Sequence, residues 1–335
     1  MAKTDGWCSG MGSFAAYLRG LFLALTFALP ALALAQAYPS KPIRFIVPFP
    51  PGGGTDTISR ALTQQIGKAQ GWTFAVENRP GAGGNLGADL AAKAPPDGYT
   101  LVLGQTSNLS INPSLYARMP FDPVADLAPV SLVASVPLVI VSNGKGAIRS
   151  IADLVRLAKA SPGKLSFASP GNGTVGHLAG VLLLRNAGLD VLHVPYKGAG
   201  PALTDLLGGQ VDLYLSTPAA ASGHVKSGAL HAIAVTSAQR ERALPQVPTI
   251  AEAGYPAATT QSWYGVLAPA RTPAAIIELW NGAIQKALAV PEVREALTRE
   301  GGEVLGGTPA QFSALIRADQ EKWGRVVREA GVKLD

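Results

Sequence analysis

Apolar runs of β-type residues alternate with helical patterns from residue 43 onward. Ile43–Val47 and the runs 72–77 and 100–103 have the composition of buried strands. Residues 55–67 and 85–93 instead repeat apolar positions at the spacing of amphipathic helices. Strands that alternate with helices predict a mostly parallel sheet covered on both faces.

A long apolar, β-rich run over 130–141, broken by Ser135 and Pro137, interrupts this alternation and ends at Ser142, where we place the crossing to a second domain. A second series follows, with helices predicted over Ile151–Ala160, Val175–Ala187, 201–207 and 218–227 and strands over 165–168, 191–195, 211–215, 232–236 and 262–268. Helical patterns close the chain over 273–289, 291–300 and 308–330. The 335 residues therefore predict an α/β protein with one domain over 38–142 plus 264–335 and another over 143–263.

Two glycine-rich junctions join a strand to a helix, one in each predicted domain. The first contains Gly52, Gly53, Gly54, Thr55 and Asp56, and the second contains Ser169, Gly171, Asn172, Gly173 and Thr174. Backbone N–H groups and the positive end of a helix dipole favour an anion at such places. A tight turn is the alternative explanation for the first junction, whose helix we expect Thr55 or Asp56 to cap. We expect the junctions to face each other across a cleft and to hold one carboxylate each.

Motifs for catalysis are incomplete in this chain. Gly171, Gly173 and Gly176 match G-x-G-x-x-G, but no acid follows the next strand, where a dinucleotide ribose would need one. The sequence contains no phosphate-binding P-loop and no nucleophile elbow, and its four histidines lack metal-ligand spacing. We therefore predict a binding protein without metal or cofactor, and an exported α/β enzyme is the alternative.

The charge distribution bears on the kind of partner, and the amino terminus indicates the compartment. The chain has 28 Lys+Arg against 22 Asp+Glu, scattered with no basic stripe, so it is not predicted to bind nucleic acid. Lys3 and Arg19 precede an apolar run over 20–35, the pattern of a secretory signal peptide over 1–35. A membrane anchor is the alternative. Cleavage near Ala35 or Ala37 would remove Cys8, the single cysteine, and release the protein into the periplasm.

Six stretches carry a resemblance to a known family, namely 38–43, 47–56, 77–84, 96–101, 194–198 and 249–254. From Tyr38 to its end, the chain closely resembles the periplasmic substrate-binding proteins of tripartite tricarboxylate transporters, the Bug-type receptors. The resemblance implies a two-domain Venus-flytrap fold of type II. It also implies capture of a carboxylated solute, a di- or tricarboxylate or an aromatic acid, and delivery to a permease of one large and one small membrane subunit.

The same resemblance implies which residues contact the ligand. They are those of the two junctions, together with Thr106 and Ser107 after the third strand, and Lys197 is kept as a candidate cationic contact. Many relatives have an acid after the strand that corresponds to 211–215, whereas this chain has Ser216 and Thr217 there. This departure favours a ligand without a cationic group. A monomer is expected, and a role as a ligand sensor stays open.

Export is the first testable prediction. The mature protein is expected to begin at Gln36 or Tyr38, because small residues precede both positions at the end of the apolar run. Intact-mass measurement of the protein from the periplasmic fraction checks this. A membrane-bound protein that retains residues 1–35 would contradict the signal-peptide interpretation.

Overall fold

Two mixed β-sheets with flanking helices make up the computed structural model, which describes residues 38–299, 301–332 and 334. The predicted signal peptide lies outside the described residues. Residues 38–40 belong to an N-terminal unit that ends at Ser40, and the fold is that of the unit Lys41–Asp335. No helix among the described residues is long and apolar enough to cross a bilayer.

The strands and helices follow the predicted alternation. The strands are β1 Ile43–Val47, β2 Phe74–Asn78, β3 Thr100–Gln105, β4 Leu127–Pro137, β5 Val139–Asn143, β6 Ser166–Ser169, β7 Leu192–Pro195, β8 Leu213–Ser216, β9 Leu230–Val235, β10 Gln261–Pro269 and β11 Glu303–Val304. The helices are α1 Gly54–Gln70, α2 Asn85–Ala92, α3 Asn112–Leu115, α4 Ile151–Ala160, α5 Val175–Ala187, α6 Ala199–Leu207, α7 Pro218–Lys226, α8 Ala274–Leu288, α9 Pro291–Arg299 and α10 Pro309–Ala330. A π-helical turn, Ser107–Ile111, precedes α3, and short 3₁₀ turns cover Ala82–Gly84 and Pro256–Ala258.

Each sheet combines parallel and antiparallel strands. The first has the order β11-β4-β10-β3-β1-β2, in which β1 pairs in parallel with β2 and β3 while β10 runs antiparallel to β3 and β4. The second has the order β7-β6-β8-β5-β9, with β6 parallel to β7 and β8 and with β5 antiparallel to β8 and β9. The α/β class is confirmed. The parallel pairing holds within β1–β3 and β6–β8, and the strands beside the crossings are antiparallel.

The chain changes sheet twice. It leaves the first sheet after Pro137 and enters the second at Val139, and it returns between Val235 and Gln261. The apolar run over 130–141 is thus divided between β4 and β5, and the chain changes sheet at the break that Pro137 marks in the sequence. Pro137 has no N–H to extend a ladder, and the N–H of Leu138 donates to Thr236 Oγ1 at 2.9 Å. The domain boundaries near 142 and 263 stay predictions.

Both faces of each sheet are buried. Along β1, Phe45 and Val47 pack with Leu62 of α1 and Trp280 of α8, whereas Ile46 packs on the opposite face. This alternation follows from the two-residue period of a strand. In the second sheet, Ile140 and Val141 divide between two cores in the same way. Apolar side chains therefore occupy both faces of each sheet, and polar side chains lie at the ends of the strands.

A fifth apolar cluster joins elements on the two sides of the crossings. Trp323 and Val327 of α10 pack there with Leu115 of α3 and Leu178 of α5. Arg185 of α5 also forms an exposed ion pair of 3.3 Å with Glu329 of α10. The last helix thus contacts the helices of both sheets.

Gly265 tests how tightly this helix is packed. A Cβ at Gly265 in β10 would overlap the ring of Phe312 in α10. We expect Gly265→Ala to lower the free energy of unfolding by about 1–3 kcal/mol, the usual effect of overpacking. Gly282→Ala is the matched control, because a Cβ there meets nothing within 4 Å in the middle of α8. This control is expected to raise stability by about 0.4–1 kcal/mol. Urea unfolding followed by circular dichroism measures both, and equal effects of the two changes would contradict the packing argument.

Candidate functional site

A cavity of about 280 Å³ lies between the two sheets. It is lined by Phe49, Gly83, Gln105, Ser107, Asn112, Leu115, Tyr116, Val136, Leu138, Pro170, Asn172, Gly173, Thr174, Val175, Gly176, Thr217, Ser262, Tyr264 and Leu334. Both sheets contribute, through β10 on one side and the loops before α5 and α7 on the other. None of these described lining residues has a charged side chain. Neutral hydrogen-bonding groups and apolar surface therefore form the cavity.

The first glycine junction is closed by its own carboxylate. Asp56 accepts hydrogen bonds of 3.0 Å from the N–H of Gly52, from Asn78 Nδ2 and from Arg60 Nε. The cap of α1 is Gly53, with no side-chain hydrogen bond, so the prediction that Thr55 or Asp56 caps this helix is wrong. The backbone at Gly52 has φ +81°, which favours glycine, so this residue allows the turn.

The environment of Asp56 keeps it ionised. Burial alone would raise the pKa of its carboxyl group, but the hydrogen bonds from Arg60, Gly52 and Asn78 outweigh burial and lower the pKa to about 2. Asp56 is thus an internal anion with its partners in place. It shapes the turn instead of offering a donor to a ligand anion.

A line of hydrogen bonds connects this junction to the cavity. Thr55 Oγ1 donates to Gln105 Oε1 at 3.1 Å, and Gln105 Nε2 donates to Ser107 Oγ at 2.9 Å. Gln105 and Ser107 line the cavity, and Thr55 lies behind them. Thr106 is fully buried, and its hydroxyl accepts the N–H of Trp263 at 2.9 Å. Of the two residues expected after β3, Ser107 therefore lies at the cavity, whereas Thr106 holds β10 in place.

Gly52, Gly53 and Gly54 are not among the residues that line the cavity. The N–H groups of Gly54 and Thr55 donate to no group in the described part of the chain. Gly54 and Thr55 are the first two residues of α1, and the side chain of Thr55 bonds Gln105.

The second junction uses most of its polar groups internally. Thr174 caps α5 by accepting the N–H of His177, and its hydroxyl donates to the carbonyl of Gly171 at 2.8 Å. Ser169 Oγ accepts the N–H of Gly171 at 3.2 Å, and the N–H of Gly173 donates to His177 Nδ1 at 3.1 Å. The predicted N–H donors Gly171 and Gly173 are thus occupied within the loop.

Other N–H groups of this junction remain available. Those of Asn172, Val175 and Gly176 donate to no group within residues 38–299, 301–332 and 334, and all three residues line the cavity. Val175 and Gly176 are the first two residues of α5. The positive end of that helix therefore meets the cavity wall.

Several lining residues lacked a sequence signal. Tyr264 reaches the cavity because it pairs with Gln105 across β10 and β3. Asn112 and Tyr116 come directly after the π-helical turn and its short helix α3, and this irregular segment brings both to the cavity. Burial raises the pKa of the Tyr116 phenol, so it stays a neutral hydroxyl at physiological pH.

Lys197 is exposed and does not line the cavity. No group of three or more acidic, histidine or cysteine side chains in the described residues is arranged to hold a metal ion.

Comparison with known proteins identifies the family. The family model for the tripartite tricarboxylate transporter family receptor, TctC, matches residues 58–332. The chain belongs to this receptor family. BugT of Bordetella pertussis is 41% identical over 316 residues, which cover 94% of this chain and 97% of BugT.

Solved structures of similar proteins confirm the two-domain periplasmic binding protein fold. MatC from Rhodopseudomonas palustris, solved with bound malate, is 31% identical with a TM-score of 0.74, covering 87% of this chain and 100% of MatC. Rpa4515 from R. palustris, solved with adipate, is 33% identical with a TM-score of 0.78, covering 88% of this chain and 99% of that chain. TctC-family receptors are periplasmic. The protein is a receptor of this transporter family, as the sequence resemblance predicted.

The role of Asp56 in closing the first junction predicts a pH dependence of stability. Its folded pKa of about 2 lies below its unfolded pKa of ~3.9, so its contribution is complete above pH 4 and is lost as the pH falls to 2. Between pH 5 and 2, wild type is expected to lose about 2 kcal/mol more unfolding free energy than Asp56→Asn. Urea titrations of both proteins at each pH measure the difference. Parallel losses would assign the acid sensitivity to other groups, such as Glu77, whose pKa is also about 2.

Proposed function

We propose that this protein captures a carboxylated small molecule in the cavity between its sheets and delivers it to a tripartite tricarboxylate-type permease. The observation that carries the proposal is the cavity wall itself. Val175 and Gly176 at the start of α5 line the same cavity as Gln105 and Ser107, and none of the described lining residues has a charged side chain. Malate in MatC and adipate in Rpa4515 support a carboxylate as the ligand class.

A carboxylate suits this wall for electrostatic reasons. Unpaired N–H groups at a helix start carry partial positive charge and favour an anion. Hydrogen bonds to a charged acceptor are about twice as strong as those between neutral groups. The anion is then stabilised by dipoles, without a buried lysine or arginine.

The rest of the cavity restricts the ligand further. Leu115, Val136, Leu138, Val175 and Leu334 supply apolar surface. Thr217 lines the cavity where an acid would pair with an amino group, and its hydroxyl accepts the N–H of Ala220 to cap α7. An ammonium group would be desolvated there without a carboxylate partner. We therefore propose an organic acid without a cationic group, either a di- or tricarboxylate or an aromatic acid.

The other residues of the two junctions support the contacts in this proposal. Gly52 and Asp56 set the turn, Gly53 and Gly54 begin α1, and Thr55 orients Gln105. Ser169, Gly171 and Thr174 hold the second loop by hydrogen bonds. Lys197 is exposed and contributes at most a long-range attraction to an anion.

Transport follows from the family. We propose that the protein is exported by its signal peptide, acts as a monomer in the periplasm and delivers its ligand to one large and one small membrane subunit. Reconstitution of uptake in membrane vesicles that contain the cognate permease, with and without added protein, tests this delivery step.

The contact at the start of α5 is testable by removing one N–H group. Val175→Pro deletes the donor at the first position of a helix, where proline is well tolerated. Thr174 already has φ −69° and ψ 157°, a conformation that suits a residue before proline. We expect carboxylate affinity to fall roughly ten- to hundredfold, the effect of losing about 1.5–3 kcal/mol from a hydrogen bond to a charged group.

Val175→Ala is the matched control, since it shortens the side chain and keeps the N–H. Calorimetric titration with malate, adipate, citrate and benzoate compares wild type with both variants. The proposal predicts a large loss for Val175→Pro and a smaller one for Val175→Ala. Equal affinity of wild type and Val175→Pro for an acid that binds would exclude this N–H as a contact.

A further inference from the structure

A buried histidine, His177, and a half-buried one, His193, stack beneath the second junction. The rings of His177 in α5 and His193 in β7 are almost parallel, with 3.8 Å between centroids and 5° between planes. His177 is only 5% exposed, and the Phe167 ring lies 4.7 Å from the His193 ring. Neither imidazole lines the cavity. Both lie against the loop that forms one of its walls.

Each imidazole holds one part of that loop. His177 Nδ1 accepts the N–H of Gly173 at 3.1 Å, and His193 Nε2 lies 2.7 Å from Ser169 Oγ. Ser169 Oγ in turn bonds both the N–H and the carbonyl of Gly171. Gly171 and Gly173 have φ values of +143° and +72°, which glycine adopts readily among many others, and the hydrogen bonds to Ser169 and His177 favour this one conformation.

We propose that His177 and His193 are positioning residues that hold the 169–174 loop in its ligand-binding form, and that acid releases this loop. The effect on ligand affinity rests on the proposed function. The effect on the loop itself does not depend on any ligand.

The chemistry of imidazole makes this support pH-dependent. Nδ1 of His177 can accept the Gly173 N–H only while it carries no proton. Protonation turns Nδ1 into a donor that faces another donor, and it places a positive charge at stacking distance from His193. Burial lowers the pKa of both histidines to about 4, and for His177 the neighbouring His193 contributes to this value.

The sign of the effect follows from these values. Both folded pKa values lie below the ordinary histidine value of ~6.5, so the neutral pair is favoured in the folded protein. Its contribution is complete above about pH 6.5 and is lost as the pH falls through about 4. We expect the loop to be fixed at neutral pH and released in acid.

Other ionisable groups on the surrounding elements have partners or lie apart. Burial is the main cause that lowers the pKa of His177, with a smaller contribution from His193, and burial lowers the pKa of His193. The ionisable groups on the elements packed against the pair are Arg185 of α5 with Glu329 of α10, Arg325 with Glu321 of α10, Asp319 bonded to Trp263, Lys322 bonded to the Thr259 carbonyl, Arg317 and Arg328 of α10, Asp212 bonded to Ser166, Tyr214 of β8, Tyr196 bonded to Asp205, Tyr255, and Lys197. No carboxylate among these described groups pairs with either imidazole to retain its proton.

Amide hydrogen exchange of the ligand-free protein tests the proposal directly. NMR measures the protection factor of the Gly173 amide from pH 7.5 to 4, with Val102 in β3 as the control for global unfolding. In wild type we expect Gly173 protection to be constant above about pH 6.5 and to fall more than tenfold by pH 4, a larger decrease than that of Val102, whose protection reports only the change in global stability. Protection of Gly173 that persists at pH 4 while His177 titrates would overturn the proposal.

Two substitutions at His177 distinguish the loss of the hydrogen-bond acceptor for Gly173 from the protonation of that acceptor. In His177→Asn, the side-chain oxygen takes the place of Nδ1 and cannot be protonated in this range, so Gly173 is expected to stay protected at every pH. In His177→Leu the acceptor is gone, and protection is expected to be low throughout. His193→Gln keeps a nitrogen for Ser169, as a second variant should His177→Asn fail to fold. In His177→Asn, a loss of Gly173 protection on acidification that matches wild type would contradict the proposal. In His193→Gln, where His177 still titrates and accepts the Gly173 N–H, protection is expected to fall in acid, and equal protection at pH 7.5 and 4 would contradict the proposal.

Malate binding at pH 7 measures the consequence for the cavity. We expect His177→Asn to bind malate within about threefold of wild type and His177→Leu to bind about tenfold more weakly, as one lost hydrogen bond of ~1.4 kcal/mol implies. Equal affinity of the asparagine and leucine variants would show that the loop does not position the ligand. If wild type fails to bind malate, that acid is excluded as the ligand, and the exchange result still decides the role of the histidines.

Discussion

Burial of both faces of each sheet is the constraint on which this structure depends. Strand side chains alternate between two apolar cores, so a polar side chain within a strand would be desolvated. Polar residues therefore collect where strands end, and Gln105 at the end of β3 and Ser169 at the end of β6 illustrate this. Because both sheets direct such ends toward the same cavity, the hydrogen-bonding groups of two separate layers come together there.

The elements were largely predictable, because the local pattern decides them. α4 and α5 have the predicted bounds, since Ser150 and Thr174 cap them as a polar residue before an apolar helix should. Pro137 marked the break between β4 and β5 in the sequence, but the change of sheet at this break was not predictable from hydrophobicity. Both strands are apolar, and the change of sheet depends on Pro137 and on the bond between Leu138 and Thr236, which are far apart in sequence.

The sequence predicted which loops form the site, but it did not predict which atoms of those loops remain available to a ligand. Glycine content located both junctions, and Ser107, Asn172, Gly173 and Thr174 do line the cavity. Which N–H groups remain available depends on tertiary contacts, such as the bond from Gly173 to His177. His177 carried no motif, and Leu334 reaches the cavity only because α10 packs beside it.

The order of strands along the chain has a consequence for folding. The second sheet is built from one continuous segment, between β5 and β9, whereas the first needs β10 and β11 from near the end of the chain. Contacts that are distant in sequence form slowly, because a long loop must close before they are gained. While the chain is being synthesised, β4 lacks its partners β10 and β11 until the last third has emerged. We therefore expect the first sheet to become native later than the second, so that its apolar strands stay accessible to chaperones for longer.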